Sequence, residues 1–252
     1  MYISFIMFII GLVIASFLNA LIYRIDNGYK YPDIFIKSSH CEKCKKDLRW
    51  YELIPVLSYI LFKGKCIRCG YRIPLYYPVS ELMLGITFGS IYFFNLFPTL
   101  YVLVIFLFIM SYYDRIYKGV PKVIVHIFLI LSFLLFAFYS VYTNFTYPNS
   151  LPISIVFTFF VFLLSTIMKK KFGMGDLLIL LGIGFYISIP MYIAYIYTFL
   201  LVSLLYSFVL IIRKKASIKS AIPLVPLMYI SFPLMLIFNQ EWIIILQKAL
   251  YI

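Results

Sequence analysis

The chain reads as an all-α polytopic membrane protein of about eight transmembrane helices, with a cytoplasmic zinc-binding loop domain between helices 1 and 2. Three observations predict this. Hydrophobic residues make up 64% of the 252 positions and charged residues only 12%, with a mean hydropathy of +1.02, a balance that no water-soluble domain carries. The apolar residues gather into eight runs, at 1–23, 73–97, 98–113, 120–143, 150–168, 175–189, 191–212 and 221–239. The one sizeable polar stretch, 24–72, holds all four cysteines.

The first run lacks a basic segment ahead of it, and its first basic residue, Arg24, follows the apolar stretch. It therefore reads as a first span rather than a signal peptide. Runs 98–113 and 175–189 are short for a hydrocarbon core that needs ~20 helical residues. Each borders an aspartate, so partly unwound or hydrated ends are expected there. Of the 22 Lys and Arg, eleven lie in 24–72, three in 114–122, three in 169–172 and four in 213–220, with Lys248 left over. The intervening connections hold none. Cytoplasmic loops carry the excess of Lys and Arg, which gives four cytoplasmic loops and both termini outside. The net charge of +13 is then a topology signal that also attracts anionic lipid, not a nucleic-acid surface. The expected organisation is a first transmembrane helix (1–23), a metal-binding loop (24–72) leading into 73–97, a transmembrane core (98–239) and a C-terminal tail (240–252). No internal repeat is legible.

The loop's cysteines form Cys41-Glu42-Lys43-Cys44 and, 21 residues on, Cys66-Ile67-Arg68-Cys69-Gly70. Each pair can offer two thiolates from one tight turn, and four thiolates complete a closed tetrahedral zinc site. A loop facing the reducing cytosol disfavours disulfides. Lys43, Lys45, Lys46, Lys65 and Arg68 offset the charge of such a centre. His40 adjoins Cys41 and reads as a bystander.

Between Ile73 and Gln240 there are three acidic residues, Glu81, Asp114 and Asp176. A carboxylate within an apolar span costs on the order of 3 kcal/mol by insertion scales and marks function. Asp114 ends the third run just before a basic loop. Asp176, in Gly173-Met174-Gly175-Asp176, begins the sixth just after Lys169–Lys171. Both fall at the same membrane face. Two carboxylates sharing a water hold one proton between them, so one can activate the water while the other protonates the scissile carbonyl or leaving nitrogen. Gly173 and Gly175 are expected to adopt positive φ and let a substrate strand approach. The plainer reading makes Asp176 a helix N-cap and Asp114 a helix-end charge beside Arg115.

These residues together resemble the type IV prepilin peptidase family. The stretch Gly11 to Arg24 (GLVIASFLNALIYR) is similar to the family's GSFLNVxIYR opening. Trp50 to Tyr59 (WYELIPVLSY), between the cysteine pairs, resembles WYDNIPLLSW. Tyr77-Pro78-Val79-Ser80-Glu81-Leu82 resembles YPxxEL, and Asp114 with Val120-Pro121 resembles the D…(I/L)P box. Gly173 to Asp176 is the GxGD motif, and Ile222-Pro223-Leu224-Val225-Pro226 resembles the late IPFxP. The resemblance implies a membrane aspartic endopeptidase with Asp114 and Asp176 catalytic. Its substrates are type IV prepilins or pseudopilins, cut after Gly on the cytoplasmic side to release a basic leader. It also implies N-methylation of the new terminus with S-adenosylmethionine, with 73–97 the methyltransferase region and Glu81 and Gly85 its residues. Location in the cell membrane follows, with lipid and prepilin as partners and no nucleic acid. Glu42, Asp47 and Glu52 are the acids available to a basic leader.

The sequence departs from the family in two places. Leu178 stands where a lysine often follows the GxGD aspartate, and Lys122 stands where an aspartate often follows the box proline. The second leaves Asp114 as the only acid of its loop. Asn19 is expected to bond between helices, His126 to pack or to bond a neighbouring helix, and Gly182 and Gly184 to serve packing. Glu81 could equally be a helix-start acid or a partner for Arg72. Competing readings are a peptidase without methylation, a proton-coupled transporter using the two aspartates, a scaffold whose zinc loop binds partners, and another GxGD protease. The aspartates' position at one face rather than the midplane opposes transport.

Overall fold

The computed structural model describes residues 2–142, 151–167, 173–213 and 222–238. The basic stretches 169–172 and 214–220, Lys248 and the tail 240–252 lie outside the described residues. Among the described residues the protein is helical, without a β-strand. Ten α-helices follow one another: α1 (Tyr2–Asp26), α2 (Asp33–Ile36), α3 (Leu57–Leu61), α4 (Tyr76–Phe93), α5 (Thr99–Tyr117), α6 (Lys122–Tyr142), α7 (Leu151–Ile167), α8 (Met174–Ile183), α9 (Ile189–Ile212) and α10 (Val225–Phe238). Each of the eight apolar runs contains one helix. Four of these, α1, α5, α6 and α9, are long and apolar enough to cross a membrane.

Prolines set several boundaries. Pro98 precedes α5, Pro121 precedes α6, and Pro190 occupies the first turn of α9, a position where the missing N–H is no loss. Helix α5 stops at Lys118, which adopts the left-handed conformation (φ 52°, ψ 40°) and returns its N–H to the Asp114 carbonyl.

The chain divides into two compact units, Met1–Leu96 and Phe97–Ile252. In the first, α1 and α4 pack closely through glycines. A Cβ on Gly11 would lie 2.8 Å from the Gly85 Cα, and one on Gly85 would lie 2.8 Å from Leu12 Cδ2. Bare backbone at both positions is what lets the helices approach so far. Asn19 Nδ2 donates to Ser80 Oγ across the same crossing at 3.1 Å, the expected interhelical bond.

In the second unit the core is built on α5 and α10. Leu103, Val104, Leu107, Phe108 and Met110 are buried on α5, and Met228, Phe232 and Met235 on α10. Phe108 meets Tyr229 edge-on at 5.8 Å, and the Tyr195 hydroxyl on α9 donates to the Met228 carbonyl at 3.1 Å. Gly182 of α8 lies against the Phe128 ring of α6 and Gly184 against Ser154 of α7, so both pack as expected. His126 does not: it is exposed, and its Nδ1 lies 2.6 Å from the Lys122 carbonyl of its own helix. The outer faces of α6, α7 and α9 are apolar and exposed, large patches of the kind that mark membrane or partner contact.

Candidate active site and candidate metal centre

The loop between α1 and α4 is organised around its cysteines. Their four Sγ atoms all lie within 4.8 Å of one another, and Cys41 and Cys69 are 3.7 Å apart. A tetrahedral site with metal–sulfur bonds of ~2.3 Å has sulfur–sulfur edges of about 3.8 Å, so the donor set fits a tetrahedral ion. The two halves repeat one turn 25 positions apart. Cys41 and Cys66 N–H donate to the Lys46 and Tyr71 carbonyls, and Leu48 and Ile73 N–H to those of Ser39 and Gly64. His40 bridges Asp47 as Lys65 bridges Arg72. Lys45 and Gly70, equivalent in the two turns, both take positive φ (56° and 66°). The sequence hides this repeat because a lysine fills the position where the second turn has its glycine. Burial pushes the Cys41 thiol up to about 11. Burial acts on Cys66 as well, but the backbone N–H groups of Cys69 and Arg68 bring it down to about 7. His40 stacks on Tyr29 and meets Tyr23 edge-on, a bystander to the cluster.

Arg24, the last residue of the opening motif, is buried at the end of α1 and donates to the Ile34 carbonyl at 2.8 Å and to Ser39 Oγ at 3.3 Å. It ties the start of the loop to the membrane helix. Glu42, inside the first Cys-x-x-Cys, accepts the Tyr77 hydroxyl at 2.7 Å and that of Tyr71 at 3.2 Å. Its carboxylate is thus already engaged, unlike that of exposed Asp47.

Glu81 sits buried in α4 and accepts the Val56 N–H at 2.9 Å and a bond from Ser16. It has no contact with Arg72 of the kind the sequence allowed. Val56 occupies φ 61°, ψ −48°, and Leu57 N–H closes on the Pro55 carbonyl at 2.6 Å. That is a γ-turn of the rare positive-φ kind, strained for a β-branched residue. Glu81 lines a cavity of about 210 Å³ together with Ser16, Asn19, Glu52, Ser58 and Tyr77 among others; Gly85 does not line it.

The aspartates belong to the second unit. Asp114, buried in the last turn of α5, accepts the backbone N–H of Val225 through Oδ2 at 3.0 Å and a further bond from the Leu224 backbone. The negative end of α5 is a poor place for a carboxylate. The N-terminus of α10 supplies the compensating N–H groups and positive dipole end. The IPLVP motif thereby gains a structural role: its backbone holds Asp114.

Asp176 is the third residue of α8, whose N-cap is Gly173 (φ −62°, ψ 117°). Asp176 is therefore not the cap itself. Neither glycine of the motif has positive φ, which corrects the expectation from sequence. Their uses differ: a Cβ on Gly173 would lie 2.7 Å from Asp176 Oδ2, whereas one on Gly175 would meet nothing within 4 Å. Gly173 makes room for the carboxylate. Asp114 lies within electrostatic reach of Asp176, although the two are 62 positions apart in sequence. Leu178, at the family's lysine position, is half-buried on α8.

The family model described as Bacterial Peptidase A24 N-terminal domain matches residues 9–94, and the Type IV leader peptidase family model matches residues 101–212. A prepilin leader peptidase/N-methyltransferase of Bacillus subtilis (strain 168) is 30% identical over 228 residues, 88% of each chain. The chain belongs to the type IV leader peptidase family. Prepilin leader peptidase/N-methyltransferases of Neisseria gonorrhoeae and Vibrio cholerae are 31% identical over 104 residues and 37% over 97. Those two matches span 36% and 38% of the relatives' length. No solved structure matches the chain. The family match to 101–212 stops short of Leu224 and Val225, the backbone that holds Asp114.

Proposed function

We propose that the protein is a membrane aspartic endopeptidase that removes the basic leader from type IV prepilins or pseudopilins after Gly, at the cytoplasmic face of the cell membrane. The observation that carries the reading is the convergence of Asp114 and Asp176 from separate helices onto one electrostatically linked site. Asp114 is held by two backbone donors and Asp176 stands at a helix N-terminus. This asymmetry suits a pair sharing one proton, with one carboxylate drawing a proton from water and the other donating to the amide. The helices in all eight apolar runs, with the distribution of Lys and Arg, support eight spans and an active site on the cytoplasmic side.

The four cysteines are proposed to hold structural zinc. Their role would be to order the loop, since a closed four-thiolate site has no open position for chemistry. Methylation of the new N-terminus with S-adenosylmethionine, through Glu81 and Gly85, rests on family membership. Glu81 lines the cavity of about 210 Å³, but Gly85 does not. Gly85, packed against Leu12, serves the α1–α4 crossing. These two observations favour, as a second reading, a peptidase in which methylation is absent.

The deciding experiment is co-expression with a prepilin and intact-mass analysis of the product. Loss of the leader with the native chain, and not with Asp114→Asn or Asp176→Asn, is the expected result. An added methyl mass separates the two readings. Equal cleavage by well-expressed aspartate variants removes the proposal.

A further inference from the structure

The short helix α3 is turned inside out for a segment in water. Its polar and aromatic residues Ser58 and Tyr59, with Phe62 just after it, face inward and line the cavity beside Glu81. Its aliphatic residues Leu57, Ile60 and Leu61, three and four positions apart on one helix face, are 56%, 64% and 68% exposed. Trp50 is 77% exposed; its ring meets Tyr51, which in turn lies 6.1 Å from Phe62. An aromatic chain therefore connects the exposed tryptophan to the end of α3. Exposed apolar side chains grouped on a charged loop mark an interaction site.

Charge and connection decide its occupant. The stretch 24–72 carries eleven Lys and Arg against five Asp and Glu, and the exposed cations Arg49 and Lys63 adjoin Trp50 and the end of α3 in sequence. A basic prepilin leader would be repelled there, whereas anionic headgroups would be attracted. Both ends of the loop run directly into apolar helices, α1 at Asp26 and α4 at Tyr76, so it is tethered beside them. Tryptophan beside aliphatic residues and flanking cations is the composition of a segment lying in the headgroup layer.

We infer that α3 and Trp50 form an interfacial anchor that docks the metal-binding loop onto an anionic lipid surface. The anchor rests on the membrane placement proposed above but not on the peptidase chemistry. Docking there fixes the inner face of α3, and with it Ser58, Tyr59 and the Val56 turn, against the cavity.

The chain has two tryptophans, Trp50 and Trp242, so a Trp242→Phe variant of the full-length protein reports on Trp50 alone. It is placed in nanodiscs of phosphatidylglycerol and phosphatidylcholine, with and without bromine on the upper acyl carbons. The expected result is blue-shifted Trp50 emission, strong quenching by the brominated lipid and weak quenching by aqueous acrylamide. Joint replacement of Leu57, Ile60 and Leu61 by Ser should reverse both quenching patterns with metal content unchanged. Emission open to acrylamide and untouched by brominated lipid would overturn the inference. So would shielding from both quenchers, which would mean that protein covers the patch. The same readings in the Asp114→Asn background separate the anchor from the peptidase reading, and co-elution with the nanodiscs checks membrane placement independently.

Discussion

Asp114 Oδ2 accepts the N–H of Val225 at 3.0 Å, across 111 positions of sequence. The last turn of α5 would otherwise place a carboxylate among unpaired carbonyls, and the start of α10 supplies the donors it lacks. This contact orients one carboxylate of the pair, while the other remains at the start of α8.

Replacing either aspartate by asparagine should lower leader cleavage by about 10²–10⁴-fold, the usual contribution of a positioned acid or base. The amide still fits and can still accept one N–H bond, so expression and thermal unfolding should change little. Intact-mass analysis of the pilin together with a melting curve of the purified enzyme checks both halves of this expectation.

The two glycines of the GxGD motif should respond differently. Gly173→Ala sets a methyl 2.7 Å from Asp176 Oδ2 and should displace that carboxylate, cutting cleavage at least tenfold. Gly175→Ala adds a methyl with no neighbour within 4 Å in the first turn of a helix. It should leave cleavage near native and, if anything, stabilise by about 0.5–1 kcal/mol. Equal loss in both variants would show that a close substrate strand, rather than Asp176, needs the glycines.

Glu81→Ala removes the acceptor of the Val56 N–H. A half-buried donor left without its partner costs up to roughly 1–3 kcal/mol, and here its loss would also release a strained turn. The variant should melt earlier and become sensitive to trypsin within 43–68, while Glu81→Gln, which keeps a carbonyl oxygen, should remain close to native in both assays. If Glu81→Gln then loses methylation on an intact fold, the carboxylate charge has a chemical role beyond holding Val56.

Cys41→Ser should abolish bound metal, measured by elemental analysis, and loosen the loop without removing the aspartate pair. In the native protein metal affinity should fall on acidification. Ligation needs thiolates, and Cys66 protonates as pH drops through about 7. Cys41, pushed up to about 11, carries a proton that the metal must displace at any neutral pH. Lower pH therefore adds protons that compete with the ion. Chelator competition at a series of pH values measures the slope.

Much of this protein is decided by local sequence. The apolar runs place the helices because an apolar segment has few side-chain polar groups to offer and must satisfy its backbone internally. The cysteine spacing places the four-cysteine cluster because each pair is closed by its own short turn, and the ordered motifs identify the family. Isolated acids in apolar helices single out Asp114 and Asp176 for the same energetic reason. What local sequence did not determine is how backbone from distant helices meets those acids. Nothing in IPLVP states that its N–H groups point at Asp114, nothing in GxGD tells that only Gly173 lies against the carboxylate, and Glu81 gives no sign that it holds Val56. Residues distant in sequence become neighbours only through helix packing, and the Gly11–Gly85 approach and the α5–α10 core are set by side-chain volumes on two surfaces at once. The tertiary structure alone fixes those contacts, because the free energy that selects them belongs to pairs of helices and not to any single stretch of chain.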